Sequence, residues 1–229
     1  MSDFEVHRRV DPEGVELAQR LLNENRDSVL EVSRTNWWGI IPNANYTGSG
    51  FFVRTGEQNG KGYCDVVTVN DVISDANGTP YLKTSDNNWH ASRVLHQNPE
   101  TNIALLRIDG IDHPETNCKT IALGDGEPTD SVRAVRVSAR DGKWQSEYGS
   151  FIETGSRAHL RMHPSDEADM SQPMNFYAIP GDHGDSGSAI VSGATGKAEA
   201  ITEGGSWNGT IAIPAPYIQR ALDETRTSK

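Results

Sequence analysis

Residues 181–188 read Gly-Asp-His-Gly-Asp-Ser-Gly-Ser, and this stretch decides how the rest of the chain is interpreted. A serine that stands between glycines and follows Gly-Asp is typical of a loop that presents a hydroxyl nucleophile. Gly184 can adopt a positive φ, which turns its N–H toward the Ser186 side chain. Together with the Ser186 N–H it would donate to a developing oxyanion. Taken alone, the stretch is also compatible with a simple turn.

The chain around this stretch has the composition of a protein built from many short strands. Its 229 residues are 35% hydrophobic and include 22 glycines and 11 prolines, which favours frequent turns over long helices. Short apolar runs between turn residues predict strands at 28–33, 48–53, 64–69, 103–108, 131–139, 188–193 and 211–214, with loops at 54–62 and 74–80. A sandwich or a barrel is therefore expected.

Both ends of this strand-rich region are predicted to be helical. Pro12–Asn25 has apolar residues at helical spacing, including Val15, Ala18 and Leu21, and Asp11 before Pro12 is a suitable N-cap. A second helix is expected over residues 215–225 at the end of the chain.

Charge and cysteine content exclude several classes of function. A net charge of −11 argues against binding to a phosphate backbone, so no nucleic-acid partner is expected. Cys64 and Cys118 lack metal-ligand spacing and are interpreted as free thiols, and no metal or cofactor is predicted. No apolar run predicts a membrane span or a signal peptide. We therefore expect a cytoplasmic protein, or a secreted one if a leader was trimmed.

Five further strings, taken with residues 181–188, resemble the trypsin-like serine proteases, and most closely their HtrA-type branch. They are GSGFFV at 48–53, CDVVTVNDVI at 64–73, HQNPETNIALLRI at 96–108, TIALGDGEP at 120–128 and GTIAIPAPYIQRAL at 209–222. The resemblance implies an all-β fold of two six-stranded antiparallel β-barrels with short terminal helices. It divides the chain into an N-terminal helical extension (1–27), a first barrel lobe (28–122) and a second lobe with the C-terminal helix (123–229).

The same resemblance assigns roles to individual residues of a catalytic triad. Ser186 falls on the nucleophile, and Gly184 with Ser186 supplies the oxyanion donors. Asp71 stands at the position of the general-base histidine, and Asn102 at that of the orienting aspartate. A carboxylate with an ordinary pKa near 3.9 is a weak base for a serine hydroxyl at neutral pH, and an amide cannot stabilise an imidazolium.

The resemblance also places the substrate-binding residues. Pro180 falls on the floor of the S1 pocket, the main side-chain pocket of the family. The other predicted residues lie along the cleft: His183, Glu203, Gly204 and Gly205. Glu203 is alternatively a solvent-exposed strand end. His183, and likewise His90 and His96, which flank the strand leading to Asn102, are interpreted as exposed polar groups and not as substitute bases.

Three functions remain open at this point. The first is a proteolytically inactive protein of this fold that binds a protein or peptide in its cleft. The second is a serine endopeptidase with a reassigned base, or an enzyme whose triad was altered. The third is a non-proteolytic enzyme that uses Asp71 in the same cleft.

Overall fold

The computed structural model describes residues 11–35, 42–74, 79–124, 128, 133–155, 172–206 and 208–227. Thirteen strands in these ranges form two antiparallel sheets, one after the other along the chain. No helix in them is long and apolar enough to cross a membrane.

The first sheet contains seven strands in the order β5-β4-β1-β2-β3-β7-β6. They are β1 Val29–Thr35, β2 Pro42–Gln58, β3 Lys61–Val69, β4 Pro80–Lys83, β5 Trp89–Ala91, β6 Arg93–Asn98 and β7 Ile103–Asp109. The number differs from the six that were expected. Within the described residues the sheet curls without pairing its edge strands β5 and β6, so it forms a half-barrel.

The second sheet is a closed barrel of six strands in the order β10-β13-β12-β11-β8-β9. These strands are β8 Arg133–Arg140, β9 Lys143–Gly155, β10 Met174–Tyr177, β11 Ala189–Ser192, β12 Ala198–Ser206 and β13 Gly209–Pro214. The double-barrel, all-β fold class is therefore confirmed, with a closed second barrel and a more open first one.

Among the described residues, four α-helices accompany the sheets, α1 Pro12–Asn25, α2 Asn70–Ile73, α3 Pro114–Asn117 and α4 Ala215–Thr227, and a 3-10 helix, Arg26–Ser28, follows α1. The predicted bounds of α1 are confirmed, and α4 runs two residues beyond its predicted end. Within α1, Ala18 and Leu21 are buried, whereas Val15 lies on the exposed side. Asp11 precedes the helix in an extended conformation but makes no side-chain cap, so Pro12 at the first position is the better start signal.

The predicted loop at 54–62 is wrong, because β2 and β3 continue through it and pair as far as Gln58 and Lys61. The turn between them consists of Asn59 and Gly60, both at positive φ (54° and 72°). Two such residues match the right-handed twist of a hairpin, which lets the flanking strands pair to their ends.

The interpretation of the two cysteines as free thiols is also wrong. Cys64 in β3 and Cys118 directly after α3 form a disulfide, with Cα atoms 6.2 Å apart. Both residues are buried. The pairing depends on α3 folding back over the sheet, and a separation of 54 residues in sequence gave no indication of that.

One hydrophobic core joins the two sheets. Phe51, Val67 and Ile103 of the first sheet pack in the same buried cluster as Val135 and Ile201 of the second. Helices α1 and α4 add their apolar faces to this cluster. Because the two sheets share this core, they form one continuously packed unit.

Candidate active-site cleft

Ser186 lies in the loop between β10 and β11, and main-chain contacts fix its position against the first sheet. Its carbonyl oxygen accepts a hydrogen bond from the Ser49 N–H at 2.7 Å. Gly187, at φ 89°, packs so closely on the Ser49 backbone that a side chain there would collide with it. The loop that carries the serine is thus held by a strand of the other lobe.

The hydroxyl of Ser186 donates its hydrogen bond to a main-chain acceptor. Its Oγ lies 3.1 Å from the carbonyl oxygen of Glu203. A carbonyl oxygen holds the proton of an alcohol but does not remove it. Among the described residues, the Ser186 hydroxyl therefore has the surroundings of an ordinary serine.

Asp71 and Asn102 meet where β3 ends and β7 begins, as their positions in the resemblance imply. The Asp71 N–H donates to Asn102 Oδ1 at 3.0 Å, and Asn102 Nδ2 donates to Asp71 Oδ2 at 2.9 Å. Asn102 adopts the left-handed conformation (φ 51°), which asparagine tolerates better than most residues. These two bonds hold the Asp71 carboxylate against the amide.

Glu203 is buried, with 6% of its surface exposed, so its interpretation as a solvent-exposed strand end is wrong. It stands at a β-bulge, where the register of β12 against β13 shifts between Thr202 and Gly204. A bulge redirects a side chain that regular pairing would place elsewhere. Here Glu203 Oε1 lies 3.4 Å from Asn102 Nδ2, so a single amide group contacts two carboxylates.

The predicted oxyanion donors lie in a loop of suitable conformation. Gly184 has φ 91°, and the carbonyl of the preceding His183 accepts a hydrogen bond from Arg140 Nη1 at 2.7 Å. In a trans peptide the N–H points away from the carbonyl, so the Gly184 N–H faces away from Arg140. The His183 N–H, followed by the Arg140 guanidinium, lowers the pKa of Asp182, which stays ionised beside them.

A buried ion pair supports this loop from inside the second barrel. Asp185, directly before Ser186, lies 3.0 Å from Arg136 Nη2, and the side chains of both residues are 2% exposed. Asp185 also accepts the Asp182 N–H at 2.8 Å. Burial lowers the pKa of Arg136, opposed by the charges of Asp185 and Glu147. From the sequence, Arg136 is only one residue of the strand predicted at 131–139; its position among apolar residues of β8 was the available signal of a buried charge.

Ser49 was also missed, and it joins the two lobes beside the nucleophile loop. Its Oγ lies at donor distance from two carbonyl oxygens, those of Ala139 (3.0 Å) and Gly184 (3.1 Å). The same Oγ accepts a hydrogen bond from the Ala139 N–H at 3.1 Å. Its sequence context, the glycines at 48 and 50, indicates only a tightly packed strand.

The three histidines considered as substitute bases lie elsewhere or face solvent. His90 is 3.3 Å from Thr84 in the first sheet, and His96 is 3.7 Å from Glu224 of α4. The His183 side chain is exposed. Within the described part of the chain, no three histidine, cysteine or acidic side chains are close enough together to hold a metal ion.

The geometry and a comparison with protein families agree on the class. Residues 48–201 match the family model of the trypsin-like peptidase domain. The match covers more than half of the chain and includes Asp71, Asn102 and Ser186. This chain therefore belongs to the family of trypsin-like peptidase domains. No curated protein matches it in a search by sequence.

Proposed function

We propose that this protein is a proteolytically inactive member of its family and that it acts by binding a protein or peptide in the cleft. The observation that carries the proposal is the hydrogen bond from Ser186 Oγ to the main-chain oxygen of Glu203. A serine nucleophile needs a side-chain base that takes its proton and later returns it to the leaving group. The hydroxyl is committed to a group that can do neither.

The chemistry at the other two triad positions supports the same conclusion. One carboxylate oxygen of Asp71 already accepts a hydrogen bond from the Asn102 amide. Asn102 in turn offers no negative charge to stabilise a protonated base. Oxyanion donors and substrate binding alone leave about a thousandfold acceleration over water, which is far below that of a working peptidase.

A fluorophosphonate probe, which reacts with activated serines, tests this proposal. We expect the protein to label no more than its Ser186→Ala variant. The positive control carries Asp71→His, Asn102→Asp and Glu203→Gln together, and recovery of labelling there shows that the loop itself is competent. Labelling of the unaltered protein that disappears in Ser186→Ala would overturn the proposal.

A second candidate is a hydrolase that uses carboxylates instead of histidine. It is favoured by the two carboxylates, of Asp71 and Glu203, that lie 2.9 and 3.4 Å from one amide nitrogen. Such an enzyme would work at acid pH, where one carboxyl carries the proton. Ester or peptide hydrolysis that rises below pH 5 and is abolished by both Asp71→Ala and Ser186→Ala would establish it. An activity lost with Asp71→Ala but retained with Ser186→Ala would point to a non-proteolytic reaction.

The disulfide between Cys64 and Cys118 is evidence about the cellular compartment of the protein. We propose that the protein matures in an oxidising compartment and not in the cytoplasm, because structural disulfides are rare where thiols are kept reduced. Alkylation of the protein from its native source, denatured but not reduced so that the buried residues become accessible, tests this. Unmodified Cys64 and Cys118 are expected, and alkylation of both would place the protein in a reducing compartment.

A further inference from the structure

Gly181, which follows the predicted pocket floor Pro180, touches the segment of Gly204 and Gly205 that the resemblance places along the cleft. The Gly181 N–H donates to the carbonyl oxygen of Ser206 at 2.7 Å. A Cβ built on Gly181 would lie 2.7 Å from the Gly205 Cα, and one built on Gly205 would lie 2.9 Å from the Gly181 Cα. No side chain fits between two backbones at this separation.

The floor of the same pocket is filled as well. Below Pro180 lie the Arg136 guanidinium and the Thr210 side chain, both buried. Arg136 Nη1 donates to the Pro180 carbonyl and also to Thr210 Oγ1, the latter at 3.1 Å. Thr210 Oγ1 donates to the Ile179 carbonyl at 2.7 Å. These bonds tie the Pro180 and Ile179 carbonyls to buried side chains of the second barrel, so the Arg136 guanidinium and Thr210 occupy the space next to Pro180.

The neighbouring edge of the cleft is open by contrast. A Cβ built on Gly204 meets no atom within 4 Å. Glycine at this position thus faces free space, whereas Gly181 and Gly205 face each other. The cleft offers access beside Gly204 and a closed slot next to it.

From this contrast we infer that, within the part of the chain that the structure describes, the cleft has no side-chain pocket beside Pro180 and that it accepts an extended peptide with glycine at the position facing the Gly181–Gly205 contact. Any larger residue there would have to separate two hydrogen-bonded backbones. Main-chain recognition would then supply affinity, and the closed slot would supply specificity. The peptide part of this inference rests on the proposed binding function, while the closure of the slot stands by itself.

The closure is tested by alanine substitutions at the three glycines, followed by urea unfolding. Gly181→Ala and Gly205→Ala are expected to lower the unfolding midpoint by about 1 M, as overpacking in a tight contact does. Gly204→Ala is the matched control and should leave the midpoint unchanged or slightly higher. Equal midpoints for all three variants would show that the slot is open and overturn the inference.

The peptide class is tested by selection from phage-displayed random linear peptides. The Gly204→Trp variant, which fills the open space beside the slot, serves as the cleft-blocked control. We expect peptides that bind the unaltered protein, lose binding at least tenfold on the control, and share a glycine at one fixed position.

Two results would contradict this expectation in distinguishable ways. Cleft-dependent peptides that share Phe, Leu, Lys or Arg at the fixed position would overturn the glycine preference and leave the binding function standing. If no selected peptide depended on the cleft, the binding function and the peptide class would fail together, and the urea midpoints would still decide whether the slot is closed.

Discussion

Asn102 and Asp71 hold each other through a pair of hydrogen bonds that run in opposite directions, one through the main chain of Asp71 and one through its carboxylate. The Asn102 amide accepts the first bond through its oxygen and donates the second through its nitrogen, whereas an ionised carboxylate could only accept. Since the same Nδ2 also contacts Glu203 Oε1, a carboxylate at position 102 would face two others. An amide at position 102 therefore fits these neighbours better than a carboxylate would.

Asn102→Asp is therefore expected to destabilise the protein by about 1–3 kcal/mol at pH 7, because a donated hydrogen bond is replaced by repulsion between carboxylates. The loss should shrink as the pH falls and the carboxyl groups protonate. Urea unfolding at pH 7 and pH 4 measures both effects. In a Glu203→Gln background the same substitution should cost less, and an equal cost there would show that Asn102 and Glu203 are not coupled.

Arg136→Met is expected to cost about 3–5 kcal/mol in the free energy of unfolding, since it leaves Asp185 buried without its counter-ion. Arg93→Met is a suitable comparison because the Arg93–Asp109 pair has half-exposed side chains (51% and 50%), and such pairs contribute about 1 kcal/mol or less.

Combining Arg136→Met with Asp185→Asn should destabilise less than the sum of the two single changes, because no unpaired charge remains. Similar midpoints for Arg136→Met and Arg93→Met would mean that solvent reaches the buried pair.

Reduction of the disulfide between Cys64 and Cys118 is expected to lower stability by about 2–4 kcal/mol, because the bond closes a long loop in the unfolded chain. Thermal unfolding with and without a reductant measures the change. The variant with both cysteines replaced by serine should unfold at the same temperature in either condition. If the melting temperature of the unaltered protein did not change with reductant, the disulfide would be absent.

Glu199→Gln should stabilise the protein at neutral pH. Burial raises the pKa of Glu199, only partly opposed by a hydrogen bond from Ser192, and its Oε2 has no hydrogen-bond partner among the residues that the structure describes. A raised pKa in the folded state means that the protonated form is favoured there, so stability is lost as the pH rises through that pKa.

The advantage of Glu199→Gln should consequently appear at pH 7 and disappear near pH 4, in paired urea titrations of the variant and the unaltered protein. An advantage of the same size at both values would show that the ionisation of Glu199 is not its cause.

The repeating strands and the terminal helices could be predicted because their information is local. Pro12 marks the start of α1, and the apolar runs of β7 and β13 are bounded by turn residues. The fold class followed from the order of six strings. The turn at Asn59–Gly60 was misread, although asparagine followed by glycine is a hairpin signal in its own right.

Apart from that turn, the features that sequence reasoning missed depend on distant parts of the chain. Glu203 is buried only because a bulge turns it toward Asn102, which lies 101 positions away. Arg136 reaches Asp185 across the barrel, and Cys64 meets Cys118 only after α3 has folded back. The spacing of residues along a single sequence does not show which distant residues come into contact in the fold.

Ser49 couples the width of the cleft to the shape of the loop that carries Ser186, so neither can change without the other. Ser49 lies in the first sheet, yet its hydroxyl and N–H bond to residues of the second lobe. These are Ala139 in β8, and Gly184 and Ser186 in the loop before β11. A guest that wedged the lobes apart would strain these bonds together and deform the loop as it entered. Entry and loop rearrangement would thus be a single event, and a spectroscopic label on the loop would report occupancy directly.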